Sequence, residues 1–558
     1  FATDDGGIIN IVSDKLGLLN LCSNISEIDT FCFSKNGSGG FANIDVDIIK
    51  EVNIKENNNL NTWAKLDGGF INLAYVKSDI DSILINNNTG IYSRSIDGDG
   101  GFMKISGDTL LSFEFKSNEI IQLKAQNGGF ISAEFEKAEN FIGSDNIIDE
   151  TDVSGNGGVL SLSVGELKNR FEFLRNNVKK INALGDGGLC FINANSVQKS
   201  INFNENKVDS IKSLGSGGVL FLGALNDSCK VGEYLEFKGN TINYSESKNL
   251  GGIIYSNANI NDGIKIESNN ISEVLTENSG AYYFNDFSNS DEPIKYIYVK
   301  NENENIEPVS NISKNGNGGV FWIESNRDIN QLEITGNNFN KVESVEGSGG
   351  GFFIEAPTVL DLKIDSNNIE KAIAGKNGGF ICLNTDAIHS TEILSNNVTD
   401  TSGAVGFGGF ACFSKCDLVD TFMFENNTID GLVYAQNGGI LFIGDIDTTQ
   451  IPLFKGLSIK NNVMRANSIV ENNGGYFYLK GNVQEDFAFF GNEFYGSADV
   501  TNYGGILFWH NNYELTVPEN NLPLESIFFQ SNKIFKNNNR IKCKRGGFVY
   551  LDGVLNLN

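Results

Sequence analysis

The residues best placed for chemistry are Asn384-Thr385-Asp386 and the nearby His389, one of only two histidines in the chain, the other being His510. A carboxylate beside an imidazole could serve as an acid–base pair. Cleaving a glycosidic bond would further need a second carboxyl group at a set separation. No such partner is marked. The chain has no Gly-His-Gly and no Asp-Asp pair at the end of an apolar run, and its 70 acidic residues supply chance pairs in abundance. No Ser-His-Asp order, Walker loop or dinucleotide fingerprint stands out either. The sequence therefore assigns no catalytic residue, and catalysis is not expected.

Metal and cofactor chemistry are equally unmarked. Asp97-Gly98-Asp99-Gly100-Gly101 is rich in oxygen ligands, but it lacks the Gly-Gly-x-Gly-x-Asp period of calcium-binding β-rolls and reads as a turn. The eight cysteines, Cys22, Cys32, Cys190, Cys229, Cys382, Cys412, Cys416 and Cys543, form no C-x-x-C pair and are too sparse for a disulfide scaffold. No metal site and no cofactor is expected. Asn-x-Ser/Thr sequons stand at Asn24, Asn36, Asn87, Asn226, Asn243, Asn270, Asn311, Asn397 and Asn426, and in a secreted eukaryotic setting they permit N-glycosylation.

The elements that must position these residues form a repeat. A Gly-Gly pair opens an apolar run at Gly6, Gly39, Gly68, Gly100, Gly128, Gly157, Gly187, Gly217, Gly251, Gly318, Gly349, Gly378, Gly408, Gly438, Gly474, Gly504 and Gly546. A degenerate copy, Ser279-Gly280, fills the one long gap, giving eighteen copies about 30 residues apart. The runs are of strand length and rich in Phe, Ile, Val, Leu and Tyr, with Asn, Gly, Ser and Asp between them. No window keeps a helical period with caps. Strands this short bury their faces only by stacking on the next repeat. The predicted fold is therefore all-β: a single-stranded parallel β-helix of about 18 coils, each rising about 4.8 Å, in one continuous domain over residues 1–558.

A second run, apolar-x-x-Asn, recurs in fixed phase with the first. It includes Phe173 to Asn176, Phe203 to Asn206, Phe237 to Asn240, Ile364 to Asn367 and Phe424 to Asn427. Its asparagines should form one column in which stacked amides hydrogen-bond along the solenoid.

Counting the first glycine as zero, positions three and five are apolar in nearly every copy and should face the core: Ile71 and Leu73, Leu220 and Leu222, Leu507 and Trp509. Position four should point outward, with apolar position two beside it. Through residue 186 position four is polar: Asn10, Asn43, Asn72, Lys104, Ser132 and Ser161. Over 187–558 it becomes Phe191, Phe221, Tyr255, Tyr283, Trp322, Phe353, Cys382, Cys412, Phe442, Tyr478, Phe508 and Tyr550. An aromatic stripe of that length exceeds the apolar patch of an ordinary soluble monomer. Either loops fold over it, or it meets another protein, or it stacks on carbohydrate. Cys382 and Cys412 fall one coil apart at the same position, which makes them a candidate disulfide, with stacked free thiols as the alternative.

A repeat of Gly-Gly-apolar and Phe-x-x-Asn motifs resembles the polymorphic outer membrane protein family. Those proteins are adhesin-type autotransporters whose passenger is a right-handed parallel β-helix. The likeness runs from Gly6 to Phe548. Two features depart from the family: Phe70, Val159 and Ile440 stand where it favours Ala after Gly-Gly, and an anchoring barrel is not expected within residues 1–558. The Asn384-Thr385-Asp386 fragment is similar to one in polygalacturonases, which are β-helix enzymes acting on polysaccharide.

A formal net charge of −28 excludes a nucleic-acid partner and docking on anionic lipid heads. No stretch is apolar and long enough to enter a membrane as a helix. These readings combine into an extracellular or cell-surface, adhesin-like protein without catalytic function. Its expected partners are another protein or a further copy of itself, head-to-tail or lateral, with carbohydrate as a second class. Neither end of the sequence carries an evident cap, so stacking of further residues or molecules on the end coils is expected, as in a surface fibre. The alternative is a β-helix that binds or cleaves polysaccharide.

Overall fold

The structure, a computed structural model, describes residues 5, 7–22, 32–58, 61–224, 229–287, 292–300, 309–416, 418–444, 453–511, 526–535 and 541–553. Two compact units are present: Phe1–Thr276 with Tyr282–Asn285, and Glu277–Ala281 with Asp286–Asn558. The change from polar to aromatic residues near 187 falls inside the first unit rather than at this division. Among the described residues every regular element is a β-strand, and no helix is long and apolar enough to cross a membrane.

Each unit is a parallel β-solenoid in which every strand pairs with its own copy one repeat later. In the first unit Leu160 aligns with Cys190, Cys190 with Leu220, and Leu220 with Ile254. In the second, Phe352 aligns with Ile381, then Ala411, then Leu441. The described residues make about 15 turns in all, slightly fewer than the eighteen copies. The copies at Gly6, Ser279, Gly504 and Gly546 run partly into residues outside the described set.

Each coil has three strand segments. The first follows Gly-Gly and the second precedes the Asn turn. In several coils of the first unit the two fuse, as in Ala42–Lys55 and Leu160–Leu174, whereas later coils separate them, as in Leu220–Gly223 and Tyr234–Lys238. The third is shorter, for example Ile211–Ser213.

The two glycines of each pair do different work. Gly217 takes φ of +69°, a left-handed conformation that side chains disfavour. A Cβ on Gly218 would lie 2.1 Å from Gly252 O, so close approach of successive coils requires its absence. The core follows the predicted phase. Ile71, Leu73, Leu220, Leu222, Phe321, Ile323, Leu507 and Trp509 are all buried, each worth about 2 kcal/mol of apolar burial.

Position two departs from the expected phase. Phe70, Phe102 and Phe130 are buried and stack with centroids 4.9 Å apart, and Phe130 also contacts core Phe115. These side chains belong to the core corner, not to the outward column. Strict alternation fails there because the amides of Phe70 and Ile71 both donate to Phe102 O, at 2.9 and 3.0 Å. The backbone is still turning out of the glycine corner.

Candidate functional site

The asparagine column runs through both units. In the first it links Asn57, Asn88, Asn118, Asn146, Asn176, Asn206, Asn240 and Asn269. In the second it links Asn337, Asn367, Asn396, Asn427, Asn462, Asn492 and Asn532. Each Nδ2 donates to the next Oδ1 at 2.8–3.1 Å. These amides are structural: they close the turn at the end of the second strand.

A second ladder, at the residue before Gly-Gly, is absent from the sequence reading. The amide of Asp99 donates to Asp67 Oδ1, that of Asn127 to Asp99, that of Asn156 to Asn127 and that of Asp186 to Asn156, at 2.7–3.1 Å. The signal was present as Asp or Asn directly before most Gly-Gly pairs. Asp99, the centre of the Asp-Gly-Asp-Gly-Gly stretch, holds its carboxylate on Asn127 and, at 3.1 Å, on Lys104 Nζ.

The outward column at position four is one stacking device in two chemistries. In early coils it is a further amide ladder, Asn72 to Asn43 at 2.8 Å and Asn43 to Asn10 at 3.2 Å. From residue 191 it is a ring stack. Phe191, Phe221, Tyr255 and Tyr283 have successive centroid spacings of 4.8, 5.0 and 5.6 Å. In the second unit Phe442, Tyr478, Phe508 and Tyr550 follow at 4.9, 5.0 and 5.6 Å, and Trp322 meets Phe353 edge-on. Phe407 and Tyr503, each preceding a Gly-Gly pair, lie against Phe442 and Tyr550.

The rings of this column are covered to different degrees. Phe191, Phe221, Tyr283, Phe353, Phe442 and Phe508 are buried, largely by one another, and Tyr255, Trp322, Tyr478 and Tyr550 are half-buried. Burial pushes the Tyr478 hydroxyl up to about 12. Cys382 and Cys412 sit within the same stack, between Phe353 and Phe442, as free buried thiols and not as a disulfide. Burial, then the neighbouring Cys382 thiol, holds the Cys412 thiol far above the ordinary thiol range.

The Asn384-Thr385-Asp386 group does not assemble with His389. Asn384 Nδ2 donates to Glu355 Oε1 and Thr385 Oγ1 to Pro357 O, both at 2.9 Å, while His389 Nδ1 lies 2.8 Å from Asp420 Oδ2. Among the described sequons, Asn36, Asn87, Asn243 and Asn426 are exposed and Asn270 and Asn397 half-buried. Asn24 and Asn226 lie outside the described residues, as does the Asn311 side chain.

A concave site lies instead on the outer face of the second strands in the second unit. Leu418–Glu425, Leu453–Lys460, Asn482–Phe490 and Ser526–Gln530 stack as parallel neighbours, with a register shift between Phe454 and Gly456 where Asn482–Phe490 carries one extra residue. Phe422, Leu457 and Phe487 turn inward and are buried, so the residues between them face out. Gly456, Ser458 and Ala488 are small and line a hollow of about 430 Å³ bounded by Met423, Phe490 and Phe528. Phe528 is 51% exposed. Ser458 Oγ donates to Glu425 Oε1 at 2.6 Å, and Lys460 pairs with Glu425 at 3.7 Å. Further along the same face, Glu333, Asp361, Lys363 and Glu392 line a smaller hollow of about 180 Å³. The larger hollow also went unread, although Phe487-Ala488-Phe489-Phe490 and Ile527-Phe528-Phe529 break the polar-out alternation at the residues that wall it.

The class these elements define is the parallel β-solenoid. Compared with known protein families, curated proteins and solved structures, the chain matches none.

Proposed function

We propose that this chain is a non-catalytic, extracellular β-solenoid that serves as a structural or adhesive surface protein, of the kind the resemblance to polymorphic outer membrane proteins implies. The observation that carries the reading is the hollow at Met423, Gly456, Ala488, Phe490 and Phe528. It is an apolar recess on a regular, repetitive face, suited to receiving a partner's side chain. Amide ladders and ring stacks hold that face in place coil by coil. The acidic surface and the exposed sequons at Asn36, Asn87, Asn243 and Asn426 also accord with a surface location. The test is adhesion of the purified protein to cells and matrix, run beside a reducing-end assay on a panel of polysaccharides. Adhesion without new reducing ends is expected, and turnover of any polysaccharide refutes the reading.

One observation favours a polysaccharide-acting alternative. Glu333, Asp361 and Glu392 share the smaller hollow with Lys363, and the backbone positions of Glu333 and Glu392, two coils apart in one register, are about 9–10 Å apart, a spacing from which two carboxyl groups could reach the separation of inverting hydrolases. If this reading holds, Glu333→Gln and Glu392→Gln each abolish the turnover.

A further inference from the structure

We infer that the asparagine turns carry N-glycans at Asn87 and Asn426, and at neither Asn270 nor Asn397. The extracellular reading above supplies the setting, and the choice between sites rests on the fold. Each turn offers two places for a sequon, one on either side of the ladder asparagine. Asn87 and Asn426 stand directly before Asn88 and Asn427, with Thr89 and Thr428 completing their sequons. Asn270 and Asn397 stand directly after Asn269 and Asn396. The four match the acceptor pattern equally well as sequence.

The fold separates them. The residue before the ladder asparagine takes positive φ, +54° at Asn87 and +57° at Asn426, a conformation that asparagine enters more readily than most side chains. Their main-chain amides are held by Lys116 O and Lys460 O, at 3.1 and 3.0 Å. Their side chains are exposed, and neither hydrogen-bonds to another described residue. The anchoring of the turn thus falls on the backbone and leaves these two carboxamides free. The same ridge carries the exposed side chains of Glu56, Arg175 and Glu205, so it has room for a large polar substituent. The residue after the ladder asparagine lies differently. Asn397 is half-buried and its Nδ2 donates to Asn368 Oδ1 at 3.4 Å, while Asn368 donates to Asn338 at 2.9 Å. Asn270 is half-buried with its Oδ1 shut off from water. A sugar on either would pull a packed amide out of its place against the neighbouring coils. Asn36 and Asn243 lie elsewhere in the coil, and the rule of the turn does not extend to them.

In the modification the asparagine Nδ2 bonds to C1 of a sugar as the bond from C1 to the oxygen of a lipid pyrophosphate breaks. One amide proton goes to the departing pyrophosphate, so the donor is a lipid-pyrophosphate-linked oligosaccharide. Transfer takes place on extended chain, and folding then decides which glycans the finished solenoid can carry. A bulky, solubilising group on the ridge leaves the core and the ladder untouched, whereas one on the position after the ladder competes with packing. The chain holds its own comparison. Asn461 occupies the same ridge, exposed and with φ of +54°, but the second residue after it is Val463, which aligns with Thr428 of the preceding coil. It has the right place in the fold and lacks only the hydroxyl that the acceptor pattern requires.

The test is a site map of the intact chain, secreted by a eukaryotic cell line behind a cleavable leader. The folded, secreted protein is digested before and after enzymatic removal of N-glycans in heavy-oxygen water, which marks each formerly glycosylated asparagine as an aspartate of raised mass. Glycan is expected at Asn87 and Asn426 and at neither Asn270 nor Asn397. Asn87→Gln and Asn426→Gln should each remove the mass of one glycan. Val463→Thr completes a sequon on Asn461 and should add one. If that variant fails to fold, the map of the parent chain decides alone. The inference is overturned by an unmodified Asn87 or Asn426, by glycan on Asn270 or Asn397, or by a folded Val463→Thr protein without glycan on Asn461. Each of these outcomes leaves the surface-protein reading standing, because adhesion and polysaccharide turnover test that reading separately from the map.

Discussion

Asn206 Nδ2 donates one proton to Asn240 Oδ1 at 3.0 Å and the other to Phe173 O at 2.8 Å, so one buried amide ties its own coil to the two that flank it. Its Oδ1 in turn accepts from both the amide and Nδ2 of Asn176, at 2.9 and 3.1 Å. Every polar atom of the side chain is engaged away from water. Asn206→Ala orphans two donors on Asn176 and should destabilise the first unit by about 2–4 kcal/mol. Asn206→Asp replaces a donor by a negative oxygen facing two acceptors, and at pH 7 it should be worse than Ala. Denaturant midpoints of the two variants check the order, and a variant within error of the parent would contradict a structural role for the ladder.

The ladder also holds the residue before each asparagine in an unfavourable backbone conformation. Glu205 has φ of +58° and Arg175 +53°, where a side chain is disfavoured, while Gly239 occupies the equivalent place at +64°. Glu205→Gly should therefore stabilise by about 0.5–1 kcal/mol, and Glu205→Val should destabilise by more than that. Unfolding midpoints in the opposite order would mean that the turn tolerates side chains freely.

Much of this architecture was legible because it depends on short-range pattern. Leu220 and Leu222 were placed in the core by period two, and Asn176 and Asn206 in one column by their constant distance from Gly-Gly. Phe70 was misplaced because alternation does not hold while the chain turns a corner. How far Phe191 and Phe442 are covered was left open for a different reason. A single strand shows which way a ring points, but not that rings stacked coil on coil cover one another. The hollow at Gly456 depends on small residues meeting across coils with large ones around them, and no one repeat contains that information.

Cys382 and Cys412 align directly across parallel strands and are buried, with free thiols. Thiol titration of the unfolded, unreduced chain should therefore find both cysteines free. In the native state neither should react with an alkylating reagent, because both side chains are buried out of its reach, and at Cys412 burial also disfavours the thiolate that does the chemistry. Recovery of a 382–412 linked peptide after digestion without reductant would contradict the free-thiol structure.

Arg175 also braces the next asparagine turn back along the chain. Its Nε and one terminal nitrogen donate to the two oxygens of Asp145 at 2.7 and 3.0 Å. The hydrogen bond from Arg175 holds the Asp145 carboxyl below its ordinary 3.8. A carboxyl whose pKa falls on folding contributes its full stabilisation above the unfolded value and loses it as pH drops through the lowered one. The pair should thus matter above about pH 4 and fade below it. The effect is small because both groups are partly solvent-exposed and screened by water. In a pH series of unfolding midpoints, Asp145→Asn should show a shallower acid limb than the parent and should merge with it at the lowest pH. A parallel offset at all pH values would assign the effect to packing rather than to charge.

The strongest electrostatic commitment lies inside the second unit. Arg327 and Asp286 are an ion pair with side chains only 1% and 5% exposed. Arg327 reaches Asp286 Oδ2 through Nε at 2.9 Å and through a terminal nitrogen, and its other terminal nitrogen donates to Glu292 O at 3.2 Å. Ser325 accepts from the Arg327 amide at 3.0 Å and donates to its carbonyl at 3.1 Å, fixing the backbone beneath the guanidinium. Charges this deep lose most of their hydration, so the pair as a whole adds little net stability, but either half alone is left uncompensated. Arg327→Met should therefore cost about 3–5 kcal/mol, and Asp286→Asn should be similarly damaging. The double variant Arg327→Met, Asp286→Leu should recover most of that loss, because it removes both charges together. A double-mutant cycle read by denaturant unfolding distinguishes this from simple packing. If the double variant is as unstable as the sum of the two single changes, the residues act independently and the buried pair does not hold its coils together.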